Sequence, residues 1–173
     1  MYNDLNNKKV LVTGSSSGIG LEIAKYFSTA GSIVAINGRN KNKLIEASQN
    51  IKNSKIVHGN VEDPKKAKKI IIKAASLLKG LDILVCNVGS GKSAKPGTEN
   101  YFDWQKSFKK NFFSATNIIE ASKKHLIKSK GNIICISSIC GSEYIEGAPI
   151  TYSVAKSALN SYVKMSSKIL GKK

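Results

Sequence analysis

The chain has 173 residues, of which 41% are hydrophobic, so it is long enough for one domain with a single apolar core. No apolar run approaches the ~18 residues of a membrane span, and the polar start, Met1 to Lys9, lacks the apolar stretch of a secretory signal. We therefore expect a cytoplasmic protein without a membrane partner. The 28 basic and 11 acidic residues give a formal charge of +17, but the lysines are scattered without interleaved aromatic residues. This distribution is typical of a solvated surface, not of a nucleic-acid site.

Cysteine and histidine are too sparse to indicate a metal centre or a disulfide framework. Cys86, Cys135 and Cys140 are odd in number and lack the Cys-x-x-Cys spacing, while His58 and His125 stand far apart in the chain. We expect the three cysteines to be small core or loop residues.

Short β-like runs alternate with helix-length amphipathic segments along the chain. The predicted strands run from Lys9 to Thr13, Ser32 to Asn37, Lys55 to Gly59, Asp82 to Asn87 and Gly131 to Ser137. The predicted helices begin near Gly18, Lys41, Pro64 and Trp104, with Asp63 as the cap of the third, and a last helix follows Tyr152. The alternation predicts one α/β domain over residues 1–173, with a doubly wound, Rossmann-like parallel sheet. Ligands of such sheets bind beyond the carboxyl ends of the strands.

A glycine-rich turn joins the first strand to the first helix. It consists of Gly14, Ser15, Ser16, Ser17, Gly18, Ile19 and Gly20. Glycines let phosphate oxygens approach the backbone, and the helix start offers unpaired N–H groups and a positive dipole end. The serine hydroxyls would add donors. The turn therefore predicts a pyrophosphate site, although a glycine-rich loop alone is also compatible with an ordinary tight turn.

The motifs that follow resemble those of the short-chain dehydrogenase/reductase family. The glycine spacing is Gly-x-x-x-Gly-x-Gly, and Cys86-Asn87-Val88-Gly89 is similar to the family's Asn-Asn-Ala-Gly. The pair Ser137-Ser138 ends the fifth strand, and Tyr152 to Lys156 matches Tyr-x-x-x-Lys. The resemblance covers roughly Lys8 to Leu170. It implies an oxidoreductase that transfers hydride between NADP(H) or NAD(H) and a small carbonyl or alcohol substrate.

Cofactor contacts and preference follow from the strand ends. The second strand is followed by Arg39 and has no carboxylate at its tip, so the loop favours the 2′-phosphate of NADP(H). If Arg39 only covers the sheet surface, NAD(H) remains possible. By resemblance, Asn60 and Val61 would contact the adenine, although the family usually has Asp at the first position. Asn87 and Gly89 complete the predicted cofactor residues, together with Tyr152 and Lys156.

The last motifs supply acid–base groups. A free phenol has a pKa near ~10, and a nearby ammonium favours the phenolate. Tyr152 and Lys156 are four residues apart and so project from one helix face. The resemblance implies that Tyr152 is the general acid/base, that Lys156 tunes it and reaches the ribose, and that Ser138 holds the substrate oxygen, with Ser137 as the alternative. Asn111 would hold a water of the proton relay, unless it only satisfies an irregular helix.

The substrate is the least readable part of this sequence. The segments Ser90 to Gly97 and Gly141 to Ile150 are expected to border the pocket. Lys92 and Lys95 hint at an anionic substrate, but a solvated loop explains them equally well. The resemblance also implies a homo-oligomer, a dimer or tetramer, packed through the helices that carry Asn111 and Tyr152.

Family members commonly run to roughly 250 residues, so we expect this sequence to lack the last strands of the fold. The fifth strand would then have an unpaired apolar edge. We expect residues 1–173 alone to bind NADP(H) weakly and to turn over poorly. The alternative functions are a non-catalytic nucleotide-binding fragment and, from a different class, a basic protein that binds nucleic acid or a membrane surface.

Overall fold

A computed structural model describes residues 3–171 as a five-stranded parallel sheet. The strands are β1 (Lys9–Val12), β2 (Ile33–Gly38), β3 (Lys55–His58), β4 (Ile83–Cys86) and β5 (Asn132–Cys135), in the order β3-β2-β1-β4-β5. The chain thus crosses from one side of β1 to the other between β3 and β4, and the predicted doubly wound sheet is confirmed. Met1, Tyr2, Lys172 and Lys173 lie outside the described residues, so the domain bounds 1–173 stay a prediction.

Six α-helices connect or flank the strands. They are α1 (Gly18–Thr29), α2 (Lys41–Gln49), α3 (Pro64–Leu78), α4 (Tyr101–Phe108), α5 (Ser114–Ser129) and α6 (Ile150–Leu170). A π-helical turn, Lys109–Phe113, joins α4 to α5, and a 3₁₀ turn, Ile139–Gly141, follows β5. The starts of α1, α2 and α3 agree with the sequence, and the Asp63 side chain caps α3 by accepting from the Lys66 N–H at 2.9 Å.

Two helix starts were predicted wrongly. Helix α4 begins at Tyr101, ahead of Trp104, because Asn100 forms a capping box with Asp103, in which each side chain accepts from the other's backbone N–H. Helix α6 begins at Ile150, so Tyr152 lies within its first turn instead of preceding it. The Glu99 carboxylate accepts from the Ile150 N–H at 2.8 Å and satisfies one of the free donors at this helix start.

Four of the five strands end one or two residues before their predicted ends, whereas β2 ends at Gly38, one residue after its predicted end at Asn37. Thr13, Gly59 and Asn87 leave the ladder because the chain turns there toward the carboxyl edge of the sheet, and Gly14 has a φ of +63°. Side chains of successive strand residues pack on opposite faces: Leu11 and Leu84 lie under α3 and α5, whereas Val10, Val12 and Val85 pack toward α1. The strands are thus packed on both faces, and the polar residues lie beyond their carboxyl ends.

Candidate active site

The glycine-rich turn closes tightly on itself. Gly14 and Gly18 have φ angles of +63° and +55°, which L side chains rarely adopt. A Cβ on Gly20 would lie 2.5 Å from the carbonyl oxygen of Gly14 and would also clash with the amide of Asn87. Nothing lies within 4 Å of a Cβ placed on Gly18, and the neighbouring Ile19 side chain is 67% exposed. The glycines therefore give a compact turn whose outer side is open.

Asn87 fastens this turn to the end of β4. Its side-chain amide donates to the carbonyl oxygens of Thr13 and Gly14, each at 3.1 Å, and its backbone N–H donates to the Thr13 hydroxyl at 3.0 Å. These bonds use the Asn87 side-chain amide to hold the glycine-rich turn in place. A direct contact of Asn87 with a cofactor, which the sequence predicts, stays a prediction.

The three serines of the turn take different positions. Ser15 is fully buried, and its hydroxyl donates to the Val12 carbonyl at 2.7 Å and accepts from the Asn37 N–H at 3.0 Å. The structure thus gives this hydroxyl a role in holding the turn on β2, in place of the phosphate donor that the sequence predicts. Ser16 and Ser17 line the open side, and Ser17 makes no side-chain cap to α1. Their hydroxyls are available to a ligand.

A cavity of about 250 Å³ lies over the carboxyl ends of β1, β2 and β4. Its lining comprises Gly14, Ser16, Ser17, Asn37, Gly38, Arg39, Gly59, Asn60, Val61, Asn87, Val88, Gly89 and Lys110. We call it the strand-end cavity. Asn37 is 1% exposed, and its amide nitrogen donates to the carbonyls of Val57 and Gly59, which leaves its buried oxygen with no partner among residues 3–171. A buried acceptor without a donor is costly, and a donor on a bound ligand would satisfy it.

Arg39 does not stand alone at the rim of the strand-end cavity. Its guanidinium pairs with the carboxylate of Glu62, with 3.2 Å between Nη1 and Oε1. The arginine side chain is 61% exposed, whereas that of Glu62 is 11% exposed. A carboxylate near this rim would repel the 2′-phosphate of NADP(H) but could accept a hydrogen bond from the ribose 2′-hydroxyl of NAD(H). Glu62 is therefore a residue that could affect which of the two cofactors is preferred.

Asn60 and Val61 follow β3 on the opposite wall. The Asn60 side-chain oxygen accepts from the Glu62 N–H at 3.0 Å, so its acceptor is used within the loop. Val61 is 2% exposed, with its side chain in the core and its carbonyl accepting from Asn117 at 3.3 Å. Both residues line the cavity, Val61 with its backbone because its side chain is in the core, and their contact with an adenine stays a prediction.

Asn111 lies at the centre of the π-helical turn and is 1% exposed. Its side-chain oxygen accepts from the Ser90 N–H at 2.7 Å, and its amide donates to the Ser90 carbonyl at 3.1 Å and to the Ser107 hydroxyl at 3.2 Å. The side chain therefore ties the chain after β4 to the irregular helix. A Cβ on Gly89 would lie 3.1 Å from the Asn111 oxygen and 3.2 Å from Lys156 Nζ, so Gly89 leaves these two groups close together.

Lys156 and Tyr152 lie on one face of α6, as their spacing predicts. Lys156 is 3% exposed, and its Nζ donates to the Ile136 carbonyl at 2.7 Å and lies 6.0 Å from the centre of the Tyr152 ring. Burial lowers the pKa of the lysine, while the nearby Cys135 sulfur opposes this effect. The Tyr152 ring is partly exposed and borders Gly91, where a Cβ would lie 3.8 Å from it.

The two serines after β5 have different hydrogen-bond partners. The Ser137 hydroxyl donates to the side-chain oxygen of Asn160 on α6, and that bond turns it away from a substrate role. The Ser138 oxygen accepts from the Cys140 N–H at 3.3 Å, and its own proton has no acceptor within residues 3–171. The 3₁₀ turn after Ser138 packs on α6. Of the two, Ser138 keeps a donor for a ligand.

Three residues of this region are missing from the sequence prediction. Asn37 and Glu62 line or flank the strand-end cavity, and Lys110 enters it from the π-helical turn. Asn37 could have been found as the polar last residue of a buried strand. Glu62 carries no local signal, since its importance arises from a pairing with a residue 23 positions earlier.

Comparison with known proteins decides the family. The sequence model described as short chain dehydrogenase matches residues 8–173. The chain belongs to the short-chain dehydrogenase/reductase family. A 3-oxoacyl-[acyl-carrier-protein] reductase of Aquifex aeolicus, itself named a reductase, is 31% identical over 172 residues, which cover 96% of this chain and 69% of that protein.

Solved structures agree with this membership. A short-chain dehydrogenase/reductase of unknown function from Caenorhabditis elegans, solved with cofactor, has a TM-score of 0.91 and 29% identity over 97% of this chain and 66% of that one. A 7α-hydroxysteroid dehydrogenase in complex with NADH and 7-oxo glycochenodeoxycholic acid has a TM-score of 0.89 and 25% identity, covering 99% of this chain and 70% of that one. The chain spans 54 to 74% of the lengths of the curated relatives.

Two features are absent from residues 3–171, a candidate membrane span and a candidate metal site. None of the helices described there is long and apolar enough to cross a membrane. Within the same residues, no three His, Cys, Asp or Glu side chains are grouped so that they could hold a metal ion.

Proposed function

We propose that this short-chain dehydrogenase/reductase is an NADP(H)-dependent oxidoreductase that interconverts a carbonyl and an alcohol, with Tyr152 as general acid/base. The observation that carries the proposal is the strand-end cavity. It joins an open glycine turn, two free serine hydroxyls and an unpartnered buried oxygen at one edge of the sheet. The relative with NADH and the relative with a cofactor have this same fold. The residues therefore fit a nicotinamide dinucleotide.

The turn would hold the pyrophosphate. Its backbone N–H groups at the start of α1, together with the hydroxyls of Ser16 and Ser17, form the donors that a phosphate needs. Asn37, with its free acceptor, faces the adenosine side of the cavity, and Lys156 approaches the opposite end beside Gly89. The dinucleotide would thus extend along the strand ends from β2 toward β5.

When bound, the nicotinamide supplies or receives the hydride. The protein supplies the proton: Tyr152 donates its phenolic proton to the carbonyl oxygen as the alcohol forms, and Ser138 donates a hydrogen bond to that same oxygen. The Lys156 ammonium stabilises the phenolate that remains. Asn111 positions the segment at Ser90, and the predicted relay water would lie between Asn111 and Lys156, where Gly89 leaves space.

The preference for NADP(H) depends on whether Arg39 binds Glu62 or the 2′-phosphate of the cofactor. The Arg39 guanidinium is 61% exposed and pairs with the Glu62 carboxylate, which is 11% exposed, so solvent screens the arginine side of this ion pair. A phosphate dianion would attract the same guanidinium more strongly and bidentately. Arg39 would therefore leave Glu62 for the phosphate.

The remaining predictions concern partners and place. The aromatic side chains of Phe102 and Phe113 are exposed and line a groove of about 970 Å³ beside α4, and they support the proposed homo-oligomer. The small carbonyl or alcohol substrate would lie between the Tyr152 phenol and the segment Ser90–Gly97. The cytoplasmic location stays a prediction from sequence.

Sedimentation of the purified chain at several protein concentrations would test the proposed homo-oligomer. A monomer at every concentration would contradict it.

The alternative function is nucleotide binding without catalysis, and Tyr152→Phe separates the two. NADPH and NADH titrations followed by cofactor fluorescence measure binding, and a carbonyl screen followed by NADPH absorbance measures turnover. We expect saturable NADPH binding in both proteins and turnover only with Tyr152 present. Binding without turnover in the unaltered chain would favour the nucleotide-binding alternative.

Two further results would overturn the proposal. Equal turnover by Tyr152→Phe would remove the proposed acid, and absence of any nucleotide binding would remove the proposed cofactor site. Tyr26→Phe is the matched control, because that residue is 54% exposed on α1 and lies outside the strand-end cavity and outside the segments expected to border the substrate pocket. Salt-sensitive binding of a polyanion that NADPH does not displace would instead support the basic nucleic-acid or membrane-surface class.

A further inference from the structure

Cys86 and Cys135 face each other across the two strands at the edge of the sheet. They are directly paired in the register of β4 with β5. Neighbouring strands lie about 4.8 Å apart, and paired residues of parallel strands point to the same face. Both side chains accordingly belong to the same core, beneath α5 and α6. This spacing falls within the Cα–Cα range of ~4.4–6.8 Å that a disulfide requires.

The two thiols differ in access. Cys86 is 3% exposed, whereas Cys135 is partly exposed and lines a cavity of about 260 Å³ between β5 and α6. Tyr162, Val163 and Ser166 form part of the same cavity. A small oxidant can therefore reach the Cys135 sulfur from solvent, while Cys86 is reachable only through its partner.

The surroundings also distinguish the two sulfurs. The neighbouring Cys86 thiol lowers the pKa of Cys135, and the Lys156 ammonium adds to this effect while burial opposes it. The same contact, together with burial, raises the pKa of Cys86. A thiolate is the nucleophile in cysteine oxidation, so the attacking sulfur is that of Cys135, which is the more exposed of the two and lies beside the Lys156 ammonium.

We propose that Cys135 and Cys86 form an oxidisable dithiol, a modification site that small hydroperoxides convert to a disulfide between β4 and β5. The Cys135 thiolate attacks the peroxide O–O bond, which gives a Cys135 sulfenic acid and releases an alkoxide or hydroxide. The Cys86 sulfur then attacks the sulfenic sulfur; its proton leaves with the displaced hydroxide as water. In sum, two thiols and one hydroperoxide give one disulfide, one alcohol or water, and one further water.

The disulfide would lie next to the proposed catalytic lysine. The Nζ of Lys156 binds the carbonyl of Ile136, the residue directly after Cys135. Oxidation converts the Cys135 sulfur beside this ammonium to a disulfide sulfur and links the strand next to Ile136 to β4. The modification thus occurs where the sheet contacts the active site.

Peptide mapping after treatment with hydrogen peroxide tests the proposal. Trypsin leaves Cys86 on the peptide Gly80–Lys92 but Cys135 and Cys140 together on Gly131–Lys156, because no Lys or Arg separates them. The Cys140→Ser chain is therefore the background for mapping. We expect a linked pair of these two peptides, lighter than their sum by two hydrogens and separated by dithiothreitol.

Two measurements keep the proposal testable without relying on one variant. In the unaltered chain, alkylatable thiols should fall from three to one after peroxide. In the Cys86→Ala/Cys140→Ser chain, checked for folding by circular dichroism, Cys135 should stop at a sulfenic acid that dimedone traps. Linkage between two chains, preferential oxidation of Cys140, or three thiols that stay alkylatable would each overturn the proposal.

Discussion

Lys156 Nζ lies 6.0 Å from the centre of the Tyr152 ring and is itself held by the Ile136 carbonyl at 2.7 Å. The lysine is buried at the junction of β5 and α6, so the charge that the proposed proton transfer needs is kept out of bulk water. A buried ammonium interacts more strongly with its neighbours than an exposed one, but its desolvation costs stability. The contribution of Lys156 should therefore be measurable in the free energy of unfolding as well as in activity.

The buried lysine should give the protein a characteristic alkaline pH dependence. Burial lowers the pKa of Lys156 from its ordinary value of 10.5, so between the lowered pKa and 10.5 the unfolded chain holds a proton that the folded chain has released. The free energy of unfolding contributed by this group therefore rises with pH across that window.

Urea unfolding of the unaltered chain and of Lys156→Met, at pH values up to 10.5, measures this contribution. We expect the difference between the two proteins to grow in favour of the unaltered chain as pH rises. Lys164→Met is the control, since that lysine is exposed on the same helix and its removal should leave the slope unchanged. Identical slopes for all three proteins would contradict the prediction.

Gly20→Ala should disrupt the glycine turn. The added Cβ would lie 2.5 Å from the backbone oxygen of Gly14, which cannot move without shifting the turn, so we expect a loss of about 1–3 kcal/mol in stability. NADPH affinity should fall by more than ~tenfold, about 1.4 kcal/mol, because the shifted turn carries the phosphate donors. Gly91→Ala is the matched control: its Cβ would make an ordinary contact, 3.8 Å from the Tyr152 ring. Equal nucleotide affinity in the two variants would argue against a pyrophosphate at this turn.

The Arg39–Glu62 pair should set the choice between the two cofactors. Arg39→Ala is expected to weaken NADPH binding by about tenfold, or ~1.4 kcal/mol, and to leave NADH binding nearly unchanged, since only NADPH carries the 2′-phosphate. Glu62→Gln should strengthen NADPH binding, because it removes a carboxylate that competes for the guanidinium at 3.2 Å. Fluorescence titrations with both cofactors give the ratio. Lys52→Ala removes a distant exposed charge as the control, and a parallel loss for both cofactors in Arg39→Ala would contradict the assigned role.

The positions of the strand ends could be read from the sequence because each strand is a compact apolar run followed directly by glycine or polar residues. That pattern predicts the glycine turn, Asn87 and Ser138 at the carboxyl edge of the sheet. The partners of these residues could not be read, since they are distant in the chain: Ser15 bonds to β2, and Arg39 pairs with Glu62 after β3. Hydrogen bonds of this kind depend on the register of the sheet.

The irregular helix at Asn111 shows a different limit. Sequence periodicity predicts one helix there, beginning near Trp104, whereas the chain forms α4, a π-helical turn and α5. The extra backbone residue of the π turn is coupled to the bonds of Asn111 with Ser90, a tertiary interaction that periodicity does not report. The alternative role considered for Asn111, satisfying a helix irregularity, thus agrees with its observed contacts, and its part in a proton relay stays a prediction.

Asn111→Ala should loosen the segment after β4. It removes the acceptor of the Ser90 N–H and the donor of the Ser90 carbonyl, bonds of 2.7 and 3.1 Å, so we expect a loss of about 2 kcal/mol in stability. Hydrogen exchange at the Ser90 amide should become faster, because the backbone there loses its only side-chain anchor from the π-helical turn among the described residues. Asn117→Ala is the matched control: that asparagine of α5 bonds to the Val61 and Glu62 carbonyls and should leave Ser90 protected. Unchanged exchange at Ser90 in Asn111→Ala would show that other contacts hold the segment, and Asn111 would then lose its positioning role.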